Sequence, residues 1–326
     1  MKTMHRLQWS QVLYTPHDPY VARPEWWNLY TDDQIDLPEY PLSAEQQDPF
    51  SKRVMDGIEA STVALTDEEV IRARRAYFAN VSYFDSKIGL LTQTLEETVE
   101  LDNTIVIVTA DHGDMLGERG LWYKMNFFEH SARIPLVMAG PGINTGSVSN
   151  ACSLVDILPT LIEIGGGDDS MLGEPVDGRS LLGAAQGAVH EQDEAIGEYC
   201  AEMTPCPVFM IRRGSLKYIH CDFDPPQLYD LSIDPQEKNN LADDPAYAAQ
   251  AQSFAQEVKQ RWDSESLRAD ILKTQKSRHA LHAAMAAGAG EHWDYNPPSD
   301  ASQQYVRNHM DWTVAAERYR FPPVDS

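Results

Sequence analysis

Positive charge is scarce in this 326-residue chain: 26 Lys and Arg stand against 50 Asp and Glu, a formal net charge of −24. A phosphate backbone needs a basic face to hold it, so nucleic acid is excluded as a partner. Cysteine is scarce too. Cys152, Cys200, Cys206 and Cys221 are too few for a disulfide framework, and none forms a C-x-x-C pair for zinc. No apolar run approaches the roughly 18 residues of a membrane span, so no membrane-spanning helix is expected. The opening stretch from Met1 to Gln11 carries Lys, His and Arg without an apolar centre, which gives no secretory signal. A reduced, cytoplasmic enzyme is the expectation. With 42% hydrophobic residues, the chain has enough apolar material for one large domain or two smaller ones.

Residues 1–60 are rich in Pro, Asp and Trp and predict ordered loop, because proline repeatedly interrupts the backbone. A chain that opens on so long a loop reads as a piece of something larger. Regular structure begins at Thr66, which has the capping-box spacing with Glu69. Val70, Tyr77, Val81, Phe84, Ile88, Leu91 and Leu95 then recur on one helical face and predict a long amphipathic helix. The β-branched run at residues 104–109 predicts a strand buried on both faces, as in a parallel sheet covered by helices. A second strand is expected over residues 133–139, and a helix over 154–164 that ends in three glycines. Residues 198–199, 209–212 and 216–220 predict strands of a smaller antiparallel sheet, with Arg213-Gly214 turning its hairpin. Residues 243–286 have helical texture. The tail from His292 is too rich in Trp, Tyr and Arg for simple disorder.

Chemistry gathers where the buried run ends, at Asp111-His112-Gly113-Asp114. In open α/β sheets functional groups sit at the carboxyl ends of strands. An Asp beside a His on a tight glycine turn can offer a carboxylate oxygen and an imidazole nitrogen to one divalent cation. The plainer reading is a polar turn in which Asp111 caps backbone amides. Taken alone, Lys124 is a solvated surface lysine and His17 a hydrogen-bonded side chain in a Pro-rich loop. The cysteines read as small buried hydrophobes.

The wider stretch reads Thr109-Ala110-Asp111-His112-Gly113-Asp114-Met115-Leu116-Gly117-Glu118-Arg119-Gly120-Leu121-Trp122-Tyr123-Lys124 and continues through Phe128-Glu129-His130 to Arg133-Ile134-Pro135-Leu136. It closely resembles the second half of the sulfatase family, within the alkaline-phosphatase superfamily. The resemblance implies that Asp111 and His112 ligate a divalent metal, calcium before manganese or magnesium, and that Lys124 contacts the sulfate. Thr15-Pro16-His17-Asp18-Pro19-Tyr20 is similar to the family's Pro-His-x-Pro element, whose His faces the sulfate and can protonate the departing alkoxide. Leu13-Tyr14 departs from the family's usual wording. Asp177-Gly178-Arg179-Ser180-Leu181, Met210-Ile211-Arg212-Arg213-Gly214 and, in the tail, Trp293-Asp294-Tyr295-Asn296-Pro297-Pro298 and Tyr305-Val306-Arg307-Asn308-His309 resemble the choline-sulfatase branch. That branch implies Glu202 and Asp311 as acids on the choline side, Asp311 reaching across a subunit contact. Quaternary ammonium groups are held by aromatic faces and carboxylates. Each of these acids read alone is an exposed carboxylate.

The family's nucleophile is a Cys in a C-x-P-S-R motif or close variant, oxidised to formylglycine, and none of the four cysteines sits in one. The family's first-strand Asp ligand has no candidate either. The resemblance implies an α/β fold: a partial alkaline-phosphatase-like sandwich of a mixed sheet with flanking helices, a smaller C-terminal antiparallel sheet and a helical tail. Residues 1–190 would be the C-terminal part of the catalytic domain, 191–290 a small subdomain with hairpin and long helix, and 291–326 an oligomerisation tail. The implied activity is sulfuric-ester hydrolysis, choline sulfate and water giving choline and sulfate. The small-molecule substrate would be met by a homo-oligomer, and this truncated chain is expected to be inactive. The alternatives are a non-catalytic fragment or assembly piece, or another phosphatase or arylsulfatase of the superfamily.

Overall fold

The structure, a computed structural model, describes residues 8–189 and 193–287. The chain enters through a loop that carries one helical turn, α1 (Pro24–Trp27), and then a nine-residue helix, α2 (Pro49–Gly57). This second helix corrects the expectation of loop throughout residues 1–60. The Asp48 carboxylate accepts from the amides of Phe50 and Ser51 at 3.1 and 3.0 Å, and Pro49 takes the first helical position, where its missing N–H matters least. Proline starts a helix here. Phe50, Val54 and Met55 bury its inner face in the main core. Replacing Asp48 by Ala should lower stability by about 1 kcal/mol, the usual worth of such a cap, measurable as a shifted urea midpoint.

The long helix α3 (Asp67–Glu97) opens on the expected capping box: the Thr66 amide donates to Glu69 at 2.8 Å and the Glu69 amide to Thr66 Oγ1 at 3.3 Å. Its buried residues are Arg74, Ala76, Ala79 and Asn80, while Val81 of the apolar stripe is exposed and the other six stripe residues are half-buried. Arg74 turns inward. Its guanidinium donates to Leu116 O at 2.9 Å and to Asp36 at 2.7 Å, so α3 grips the loop that carries Leu116.

β1 (Val106–Thr109) pairs antiparallel with β2 (Leu136–Ala139), Thr109 opposite Leu136. Among the described residues these two strands form one sheet, and β1 is half-buried throughout rather than covered on both faces. A β-branched run reports fit to a pleated surface; it does not report how many faces are covered. The long 110–135 loop brings the chain back beside β1 in the opposite direction, and it includes the single turn α4 (Glu129–Ala132). The helices α5 (Ile157–Ile164) and α6 (Leu182–Ala185) follow.

The second sheet is an antiparallel meander of β3 (Glu194–Tyr199), β4 (Val208–Arg213), β5 (Leu216–Cys221) and β6 (Asp224–Asp230). Gly214, at φ +57, turns β4 into β5, a conformation that suits a residue without Cβ. One face of the meander (Val208, Met210, Ile219) joins Phe50, Met115, Leu121 and Phe128 in a core beneath the 110–135 loop. The other face (Phe209, Ile211, Tyr218, Leu228) packs on Phe254 and Val258 of α7 (Ala248–Arg261). The helical texture of residues 243–286 resolves into α7 and α8 (Ser264–Ala286). Trp262 stacks on Phe209 at 4.7 Å between them, and Asp263 accepts from the Ser266 amide at 3.0 Å to restart the helix. The fold is α/β. The tail, with Asp311 and the aromatic residues expected to assemble subunits, lies outside the described residues.

Candidate active site

β1 hands the chain over at Thr109, and the next residues form the turn Asp111-His112-Gly113. The turn is pressed against α4: the Gly113 amide donates to Ser131 O at 2.7 Å, and a Cβ on Gly113 would lie 2.1 Å from His130 O. Only glycine fits there. His112 Nδ1 lies 2.8 Å from Gly113 O. A carbonyl only accepts, so Nδ1 carries the proton and Nε2 keeps its lone pair. That lone pair stands 3.6 Å from Asp111 Oδ2, on a carboxylate that is 85% exposed. Two Lewis bases facing one another suit a shared cation. Among the described residues there is no group of three or more His, Cys, Asp or Glu able to hold a metal. Asp111 and His112 therefore fit part of a divalent site, well short of the 6–8 oxygen ligands that calcium takes.

The 14–20 loop lays His17 over this turn. His17 Nδ1 lies 2.9 Å from both the carbonyl and the carboxylate of Asp18, which fixes the proton on Nδ1. Nε2 consequently accepts, and its donor is Lys124 Nζ at 2.6 Å, across 107 positions of sequence. The His17 ring meets that of His112 edge-on, centroids 5.7 Å apart. Lys124 projects from an unusual backbone, since Tyr123 and Met125 on either side have φ of 66° and 65°. Left-handed non-glycine residues cost roughly 1–2 kcal/mol each, so the surroundings must hold them. Asn126, buried, does part of this: its amide donates to Lys124 O at 2.9 Å and accepts from the Phe128 amide at 3.0 Å.

Asp114 and Tyr20 are the members that sequence reasoning left out. The Asp114 carboxylate accepts from Tyr20 OH at 2.8 Å and from the amides of Leu116 and Tyr123 at 3.0 and 3.1 Å. Burial pushes its pKa above the usual carboxylate range, against the pull of those hydrogen bonds. Burial, and then the neighbouring Asp114 charge, push the Tyr20 phenol up as well. The Tyr20 ring lies among Tyr123, Trp122 and Tyr77 at 6.2, 5.9 and 6.3 Å. The signal available was their place inside the two motifs, Asp114 two residues after His112 and Tyr20 three after His17.

The structure thus brings His17, His112, Asp111 and Lys124 together. Glu202 stands on the turn after β3, accepting from Tyr199 OH at 3.3 Å, and no contact among the described residues joins it to the other four. Asp311 lies outside the described residues. The thiols of Cys152, Cys200 and Cys221 are pushed up by burial, Cys221 to about 11, which leaves them poorer nucleophiles than a free thiol.

Residues 12–167, which contain all four clustered groups, match the family described as sulfatase. Residues 117–264 match the C-terminal region of N-sulphoglucosamine sulphohydrolase, and residues 269–321 the C-terminal region of the choline sulfatase enzyme. The chain belongs to the sulfatase family of the alkaline-phosphatase superfamily. It is 42% identical over 311 residues to the choline-sulfatase of Rhizobium meliloti (strain 1021), covering 94% of this chain and 60% of that protein. It is 31% identical over 276 residues to the multifunctional alkaline phosphatase superfamily protein PehA of Trinickia caryophylli, covering 75% and 53%. The crystal structure of the phosphonate monoester hydrolase of Agrobacterium radiobacter shares the fold at a TM-score of 0.65 and 26% identity, covering 78% of this chain and 55% of that one. The chain therefore spans between 53% and 60% of the length of these relatives. No helix among the described residues is long and apolar enough to cross a membrane.

Proposed function

We propose that this chain carries the sulfate-binding and leaving-group side of a sulfuric-ester hydrolase that converts choline sulfate and water to choline and sulfate. The observation that supports this most is the Lys124–His17 contact at 2.6 Å beside the Asp111–His112 turn. One N–H of the Lys124 ammonium is spent on His17 Nε2, which leaves two for sulfate oxygens. When the S–O bond breaks, its electron pair stays on the alkoxide oxygen, which needs a proton. His17 Nε2 is the atom to deliver it, but it holds none while it accepts from Lys124. Sulfate drawing Lys124 toward itself frees Nε2 to be protonated, so anion binding and acid catalysis are coupled. A divalent metal, calcium or another, held by Asp111 and His112 would supply positive charge at the ester oxygen. The nucleophile, formylglycine in the family, has no motif among the four cysteines.

The 42% identity to a choline-sulfatase favours choline as the alcohol. Glu202 and Asp311 would then face its ammonium, Asp311 from a neighbouring subunit through the 291–326 tail. The organisation into residues 1–190, 191–290 and 291–326 and a cytoplasmic location belong to the same reading. Calorimetric titration with sodium sulfate, with and without calcium, tests the central part. Lys124→Ala should weaken sulfate binding roughly tenfold to a hundredfold, the range for a hydrogen bond to a charged group. Equal affinity in wild type and variant would remove Lys124 from the site.

A further inference from the structure

We propose that Asp114 is the positioning residue of this site: one buried carboxylate sets the placement of His17, of Lys124 and of the Asp111–His112 turn relative to one another. Three segments meet there that are distant in sequence. Asp114 belongs to the metal-side turn, two residues after His112. Its Oδ2 accepts from Tyr20 OH at 2.8 Å, and Tyr20 follows His17 by three residues. Its Oδ1 accepts from the Tyr123 amide at 3.1 Å, immediately before Lys124, and from the Leu116 amide at 3.0 Å. The hub is thus joined to each candidate group by at most three residues of chain.

A carboxylate suits this position. Three donors converge on two oxygens, and the carboxylate can take all of them without presenting a hydrogen of its own. Tyr123 is left-handed at φ 66°, and the Met115 amide donates to its carbonyl at 2.7 Å. With its carbonyl and its amide both bonded to the turn, the peptide that carries Lys124 has its direction fixed. Tyr20 is wedged between Trp122 and Tyr123, so its hydroxyl cannot leave Asp114 without moving the loop that carries His17. Asp114 itself touches neither His17 nor Lys124. It acts through their neighbours.

The role rests on the sulfate-site reading for its functional consequence only, and the test separates the two. His17 in the full chain can be read by imidazole ¹⁵N NMR, whose signature is a protonated Nδ1 and an accepting Nε2; inorganic sulfate is the probe for affinity. Tyr20→Phe removes one hydroxyl and keeps the ring. It should leave the far-ultraviolet circular dichroism unchanged, average the two His17 nitrogen signals, and weaken sulfate binding about tenfold, the equivalent of one lost charge-assisted hydrogen bond. Asp114→Asn, which still accepts from the two amides and can donate to Tyr20 OH, should keep the signature and bind sulfate within about threefold of wild type. A Tyr20→Phe protein whose His17 signals and sulfate affinity equal those of wild type would overturn the proposal, since a merely structural bond moves only the melting temperature. Should the wild-type chain bind no sulfate, the functional reading fails, while the His17 signature still decides whether Asp114 positions the site.

Discussion

Purified and assayed with choline sulfate and excess calcium, the 326-residue chain is expected to give no turnover above background. Sulfate-ester cleavage needs an activated nucleophile, and removing such a group forfeits most of the rate even where the binding groups remain. Cys152 precedes Ser-Leu-Val, Cys200 precedes Ala-Glu-Met, Cys206 precedes Pro-Val-Phe and Cys221 precedes Asp-Phe-Asp, so no C-x-P-S-R motif exists in this sequence. Burial raises three of these thiols, which lowers the thiolate fraction at neutral pH. The metal side is equally short, with Asp111 and His112 as two adjacent donors. Sulfate affinity through Lys124 should survive all of this, so the expected pattern is binding without chemistry. Metal-dependent turnover well above background would mean that a nucleophile stands elsewhere in the chain. Substituting Cys152, Cys200 and Cys206 by Ser in turn would then locate it.

What the sequence disclosed depended on how local each cause is. The α3 start was legible because a capping box involves four consecutive residues, and the β4–β5 hairpin because Arg213-Gly214 marks its own turn. The break at Trp262 was not, since it depends on a ring stacking on Phe209 from another element. Helix α2 was legible in principle: Asp48-Pro49 is a start signal, in competition with proline's effect as a helix breaker. The burial of Arg74 on α3 was not legible, because its partners Asp36, Leu116 and Glu118 come from distant loops. For the site, residue types and the motif named His17, Asp111, His112 and Lys124, yet no spacing rule gives a distance across 107 positions. That juxtaposition came from family resemblance. Asp114 escaped because its importance lies in its donors: a hydroxyl from the Tyr20 segment, and the Leu116 and Tyr123 segments' backbone amides, which no residue type announces.

Those segments need support from below, and the largest loss of stability is expected from Lys217→Ala. Lys217 lies on β5 with its side chain 1% exposed, and its ammonium reaches Phe127 O at 2.8 Å, Glu237 at 2.8 Å and Glu129 at 2.5 Å. Glu237 is equally buried and also accepts from the Glu129 amide at 2.7 Å. The cluster ties the segment after Lys124 to the C-terminal sheet. Removing the ammonium leaves two carboxylates near one another without a cation, which typically destabilises by about 3–5 kcal/mol. Burial already raises the Glu237 carboxyl above its ordinary range, against the pull of Lys217. An acid raised in the folded state adds stability below its unfolded pKa and gives that stability up as pH climbs through the folded value. Without Lys217 the raise is larger, so the loss should be greatest at pH 8 and shrink as pH falls toward the ordinary glutamate value of about 4.3. Urea midpoints at pH 8 and pH 5 measure both the size and the trend. Lys217→Met combined with Glu237→Gln and Glu129→Gln should recover most of the stability, because neutral groups need no counter-charge. A Lys217→Ala protein within about 1 kcal/mol of wild type at pH 8 would mean the cluster behaves like an exposed ion pair, with water reaching the carboxylates.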